Sequence, residues 1–214
     1  RARFGWVVAF SGLWSLLVYV PVTRWVWGGG FLAEQGVIDF AGGIVVHTTA
    51  GISALVVALM LGKRVGFPKT LMLPHSPALT VAGAGLLWVG WFGFNGGSAL
   101  AANDAAASAI INTHVATSTA ALVWLLVERI KVGKSTAVGF ATGAVAGLAT
   151  ITPAAGTVGP GGAAIIGLLA GLVCFWFVGL IKGMLKIDDS LDVFAVHGIG
   201  GMMGSLLLAI FASE

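Results

Sequence analysis

Apolar residues along this chain recur in long blocks rather than in alternation, and the polar positions collect between the blocks. Seven blocks read as helices, at roughly 4–24, 39–62, 77–98, 103–128, 135–152, 161–181 and 190–212. Each is near the ~20 residues that carry an α-helix across a ~30 Å hydrocarbon core. A β-barrel would show short alternating segments instead. The breakers fall between the blocks, at Gly28-Gly29-Gly30, Pro68, Pro74, Pro77, Asn95-Gly96-Gly97, Pro153 and Pro160. Pro21 stands near the end of the first block and predicts a kink there. The expected fold class is an all-α polytopic membrane protein.

Composition agrees with the blocks. The 214 residues are 58% hydrophobic and 9% charged, against about 25% charged in a soluble domain. The 33 glycines suit close helix packing in lipid. The net charge of +3 does not point to nucleic acid, because the basic residues sit between the blocks. Across seven crossings, Arg1, Arg3, Lys63, Arg64, Lys69, Arg129, Lys131, Lys134, Lys182 and Lys186 share one side, and Arg24 alone lies on the other. The basic side is expected to be cytoplasmic. The lone Cys174 lies in an apolar block and reads as a buried, inert thiol. With no initiating methionine and no leader, the chain reads as a fragment cut at both ends.

Three acidic positions look like helix starters: Asp39, Asp104, and one of Asp189 or Asp192. A carboxylate there would satisfy orphan amides and the helix dipole. Two of these acids share a second pattern, since His47 follows Asp39 by eight residues and His197 follows Asp189 by eight. A titratable ring inside a span is costly and rarely faces lipid. If each acid starts its helix, both rings lie about 12 Å deep, at 1.5 Å per residue. Entered from opposite sides, they would meet near the midplane, as in an inverted repeat with its site at the repeat interface. The plainer reading is two separately satisfied core histidines.

Among the aromatics, Trp27 precedes a glycine turn, and Trp91, Phe92 and Phe94 precede Asn95-Gly96-Gly97-Ser98. Such rings could hold a cation at a pore mouth, at ~0.5–2 kcal/mol, or belong to the interfacial belt. Trp14, Trp88, Trp124 and Trp176 are assigned to the belt. His75 reads as solvated in a Pro-rich loop, and His114 as bonded to a neighbouring helix. Two histidines without further ligands are not a metal site. No P-loop, nucleophile elbow or Cys pair is present, so the chain does not read as an enzyme, and no cofactor is expected.

Several stretches resemble the ammonium transporter / Rh family, and its bacterial ammonium-transporter branch in particular. The most specific runs from Asp39-Phe40-Ala41-Gly42-Gly43 through His47, Ala50-Gly51 and Ala54-Leu55 to Gly62-Lys63-Arg64. Others are Trp27-Gly28-Gly29-Gly30, Gly90-Trp91-Phe92-Gly93-Phe94-Asn95, Ile151-Thr152-Pro153-Ala154, and Asp192-Val193-Phe194 with Val196-His197-Gly198. The resemblance covers residues 1–214 as one partial membrane domain. It implies spans four to ten of an eleven-span fold built from two inverted five-span halves and a final helix.

The resemblance also implies roles. His47 and His197 would be paired pore histidines, and Thr152 a further pore residue. Trp27 and Ser98 would form an external ammonium recruitment site. Phe94 would be one of two stacked gate rings, with Trp91 below it, and Asp39 a structural acid near the vestibule. The family implies ammonium, ammonia and methylammonium as substrates, a homotrimer, a bacterial plasma membrane, and a PII-type signalling protein on the cytoplasmic face. Moving an intact ammonium ion into apolar surroundings costs tens of kcal/mol by Born estimates. Removing its proton at pH 7 costs only ~1–5 kcal/mol if its pKa lies between those of an α-amine and lysine. An apolar pore is therefore expected to pass ammonia between two neutral imidazoles. The alternatives are an ammonium sensor with an appended signalling domain, a haem-binding redox protein, for which more histidines would be expected, and a Rh-type gas channel.

Overall fold

A computed structural model describes residues 2–70, 72 and 74–212. Seven helical runs among the described residues are long and apolar enough to cross a membrane. The first, Phe4–Glu34, comprises a long helix α1 (4–26), a glycine turn, and the one-turn helix α2 (Phe31–Glu34). The others are α3 (Gly43–Leu61), α4 (Pro77–Gly97), α5 (Asp104–Val132), α6 (Ala137–Ala154), α7 (Pro160–Met184) and α8 (Phe194–Phe211). The helix continues through Pro21 to Val26, past a π-helical turn at Ser15–Tyr19. That wider turn ends just before the pyrrolidine ring, where a regular helix would place a carbonyl against it.

Most helix starts have a local chemical cause. Ser76 caps α4 through Leu79 N at 3.3 Å, with Pro77 at the first helical position. Thr136 caps α6 through Gly139 N at 2.9 Å. It is itself held by Glu128 of α5, whose carboxylate accepts the Thr136 amide and hydroxyl at 2.7 and 2.8 Å. Asp104 does not cap α5. Its neighbour Asn103 does, through Ala106 N at 3.1 Å, and Asp104 becomes the first helical residue.

Helix α6 is the centre of the bundle. In its most apolar stretch 72% of the residues are buried, against none in that of α1. Its small side chains permit this. Gly139, Gly143 and Gly147 recur every fourth residue and face α5. A Cβ there would run into the Glu128 carboxylate, Trp124 Cβ and Thr117 Cα respectively. Helix α7 approaches α5 the same way, with Gly167 and Gly171 against the backbone of Ala116 and Ala120. Trp124 therefore lies in the core, 4% exposed and edge-on to Phe175 at 5.2 Å, rather than in an interfacial belt. Trp14 ties α1 to α3 by donating to Ser53 Oγ at 2.7 Å. Trp176 stays exposed and Cys174 is buried.

The two aspartate-led helices begin later than their acids. Helix α3 starts at Gly43 and α8 at Phe194, not at 39 and 190. Each histidine then lies within about a turn of its helix start, closer to it than the eight-residue count suggested. The rings still meet, because α3 and α8 cross at these first turns. A Cβ on Gly51 would overlap the backbone of Gly198. A Cβ on Gly201 would sit 2.7 Å from Gly43 O and 2.8 Å from His47 Cβ. Each of these glycines follows its own helix's histidine by four residues, so the crossing has approximate two-fold character.

Candidate functional site

Both histidines lie in π-helical turns, Gly43–Thr48 and Phe194–Gly198, a departure from regular helix that recurs at functional sites. Each turn is preceded by an aspartate that reaches forward to it. Asp39 Oδ1 accepts from the amides of Gly42 and Gly43 at 2.9 and 2.6 Å, and Oδ2 from Ile44 and Val45 at 2.8 and 3.0 Å. Gly42 makes the approach possible with φ 116°, a backbone state that side chains disfavour. Asp189 Oδ2 accepts from Phe194 N at 2.8 Å, the same five-residue reach as Asp39 to Ile44. Asp192 does not cap α8. It pairs with Lys182 at 2.7 Å. Burial pushes its carboxyl above the ordinary range, and the lysine opposes that shift.

The rings are joined Nδ1 to Nδ1 at 3.2 Å, with centroids 5.2 Å apart. His47 is 3% exposed. Its other nitrogen, Nε2, lies 3.2 Å from Thr152 Oγ1. Trp91 donates its indole N–H to the same oxygen at 3.0 Å, and that hydroxyl donates to Leu148 O at 2.7 Å. Trp91 also stacks on His47, at 5.4 Å and 15°, while Phe94 tilts against both rings at 6.2 and 5.5 Å. Helices α3, α4, α6 and α8 thus each deliver a group to one point.

Two grooves meet there. One, about 740 Å³, is apolar and lined by Val46, Ala50, Leu87, Trp91 and Phe94 beside the two histidines. The other, about 720 Å³, runs from His197 past Val196 and Thr142 to Arg64, Lys182 and Asp192. His197 lines both.

The remaining sequence-chosen residues lie apart from this point. Trp27, 43% exposed, donates to the Asp39 carbonyl at 2.6 Å. Ser98 turns its hydroxyl back onto Phe94 O at 2.8 Å, and makes no hydrogen bond with Trp27 among the described residues. His75 is exposed. His114 packs its ring against Trp88 and Phe92, at 5.4 and 6.1 Å, with no hydrogen bond to a neighbouring helix among the described residues.

One pair escaped sequence reasoning. Arg64, just past α3, grips Asp188, just before α8. Its Nε donates to Oδ1 and Oδ2 at 3.1 and 2.9 Å, its second guanidinium nitrogen to Oδ1 at 2.7 Å, and its amide to Oδ2 at 2.7 Å. The Asp188 side chain is fully buried and that of Arg64 is 32% exposed. The partners are 124 residues apart, so no local spacing signals the pair. Arg64→Ala is expected to lower stability by about 2–3 kcal/mol, below the full cost of orphaning a buried charge because the arginine is partly solvated. Arg64→Lys should recover only part of this, having no fork to match two oxygens. Denaturation of the two variants side by side in detergent checks it, and equal stability of Lys and Arg would refute the bidentate account.

The chain matches known proteins over its whole length. The model of the Ammonium Transporter Family matches residues 1–214. An ammonium transporter of Aquifex aeolicus is 53% identical over 212 residues, covering 99% of this chain and 49% of its own. Ammonium transporter Amt1 of Archaeoglobus fulgidus is 51% identical over 213 residues, covering 100% and 54%. Among solved structures, Saccharomyces cerevisiae Mep2 superposes with a TM-score of 0.94 at 43% identity, covering 100% of this chain and 48% of Mep2. The structure of a Sensor Amt Protein gives 0.93 at 34%, covering 100% and 56%. The chain spans about half the length of the curated relatives it matches. With seven membrane-length helices among its described residues, it is a multi-pass integral membrane protein that belongs to the Ammonium Transporter Family.

Proposed function

We propose that this chain forms the histidine-bearing part of an ammonium transporter. The observation that carries this reading is the pair of imidazoles, 3.2 Å apart and set where an apolar groove meets a second groove that carries Arg64, Lys182 and Asp192. Ammonium would be recruited near Trp27 and Ser98, pass the Phe94 ring, lose its proton, and move as ammonia along the groove that Trp91, His47 and His197 line. The apolar wall supplies the selection, because shedding one proton costs far less than desolvating a whole cation. Asp39 would act structurally, by holding the turn that carries His47. A homotrimer, methylammonium as a second substrate and a PII-type partner belong to the same proposal.

The test uses the full-length protein in proteoliposomes, with a transient current recorded after an ammonium pulse. His47→Ala is expected to reduce that current by about tenfold or more, some 1.4 kcal/mol of barrier per decade. Luminal alkalinisation without current would mean neutral ammonia conduction. Neither signal from correctly inserted protein would refute transport. It would favour a sensor, the second reading, which the likeness to the Sensor Amt Protein structure keeps in view.

A further inference from the structure

We infer that Thr152 sets the direction of the hydrogen bond between the two histidines. It does so by forcing His47 to carry its proton on Nε2 and His197 to carry its own on Nδ1. His197 Nε2 is then the one unprotonated ring nitrogen of the pair left for a ligand. The inference rests on the transport reading only for what that ligand is. The assignment itself is a matter of counting hydrogens.

Thr152 Oγ1 has three polar neighbours and one hydrogen. A threonine hydroxyl donates once and accepts twice. Leu148 O lies 2.7 Å away and, being a carbonyl, can only accept, so the hydroxyl hydrogen goes to it. Trp91 Nε1, at 3.0 Å, can only donate, so it takes one of the two lone pairs. What remains for His47 Nε2, at 3.2 Å, is the second lone pair. His47 must therefore donate from Nε2. The opposite choice would leave two oxygens at 2.7 Å with no hydrogen between them.

The rest follows along the chain of rings. A neutral imidazole protonated on Nε2 has a bare Nδ1. That nitrogen faces His197 Nδ1 at 3.2 Å, so His197 must supply the hydrogen. His197 Nε2 is then bare, on the residue that lines both grooves. In an ammonia pathway it would accept an N–H of the substrate, or the proton of an arriving ammonium. Both nitrogens of His47 are already engaged within the protein. His47 is thus a positioning residue in the chain from Thr152 to His197, and the two rings, though related by the crossing, have unequal roles.

The measurement is nitrogen-15 NMR of histidine-labelled full-length protein in lipid, in a background where His75, His114 and every histidine outside residues 1–214 are replaced by glutamine, so that two rings are left to observe. One ring is expected wholly as the Nε2–H form and the other wholly as the Nδ1–H form. In a further His197→Gln variant the remaining ring, His47, should keep its proton on Nε2. Thr152→Ser preserves the hydroxyl and should preserve the spectrum. Thr152→Val removes the acceptor, and should give mixed tautomers on both rings. A His47 ring protonated on Nδ1 in the otherwise unaltered pair would overturn the inference. So would a spectrum unmoved by Thr152→Val. Neither result depends on flux, so failure here and failure of the transport reading are separate events.

Discussion

Asp39→Ala is expected to lower the stability of the full-length protein by about 3–5 kcal/mol, a large share of a typical stability. Asp39 is 5% exposed, and its carboxylate accepts four backbone amides at 2.6–3.0 Å. Hydrogen bonds to a charged acceptor contribute about 1.5–3 kcal/mol each, and they are not additive when they share one group. In alanine the four donors would point at nothing, at a buried helix start where water has little access. Asp39→Asn keeps the shape and one acceptor oxygen but turns an N–H₂ toward donors, so it should lose more than half as much. Asp189 makes the informative comparison. It stands at the equivalent place before α8 with a single such bond, to Phe194 N, so Asp189→Ala should cost about 1–2 kcal/mol. Thermal melting of the three variants in one detergent checks the order. Equal losses for Asp39→Ala and Asp189→Ala would show that the amide count does not govern the effect.

The second large effect belongs to the crossing. Gly51→Ala and Gly201→Ala are expected to cut ammonium flux by about tenfold to a hundredfold, and Gly51→Leu to abolish it. Any Cβ at 51 overlaps Gly198 backbone, and one at 201 meets Gly43 O, which is also backbone. A side chain can rotate away from such a clash, but a backbone cannot, so α3 and α8 must separate. A shift of about 1 Å would stretch the 3.2 Å ring-to-ring contact beyond hydrogen-bonding range. Overpacking of this kind also costs about 1–3 kcal/mol of stability. Gly161, at the start of α7 with open space around it, serves as the control, and Gly161→Ala should change neither quantity appreciably. Flux assays with quantified membrane insertion distinguish loss of geometry from loss of protein. Normal flux from well-inserted Gly51→Ala would mean that the crossing tolerates separation and that the tight contact is not needed.

The twin-histidine constellation was partly legible. The matched eight-residue offset of His47 and His197 from their aspartates marks two similar units, and an intramembrane ring demands a partner. The two rings do meet, as the matched offsets suggested, while the contact of His47 with Thr152 was a matter of fold. The depth argument placed the rings by counting from Asp39 and Asp189 as helix starts, and that count was wrong, because the acids reach forward across a turn. Gly42 at φ 116° is the reason for the offset at α3. Asp104 begins its helix, as read, but does not cap it. Asn103, one residue earlier, has the side chain that reaches Ala106 N. The belt assignment failed for Trp124 because glycines on α6 open a pocket that a tryptophan fills.

What the sequence by itself determined is the class, the seven crossings, the chemistry available, and a resemblance specific enough to name a family. These are legible because the cost of an unsatisfied backbone in lipid makes span length and apolarity local properties of the chain. Only the tertiary structure decided which groups share a point. The matched offsets hinted that His47 and His197 meet, but nothing in local spacing joins His47 to Thr152 across 105 residues. The same holds for the Arg64–Asp188 grip. Hydrogen bonds of this kind depend on distances of a few tenths of an ångström between separate helices, and those distances are set by where small residues let the backbones meet.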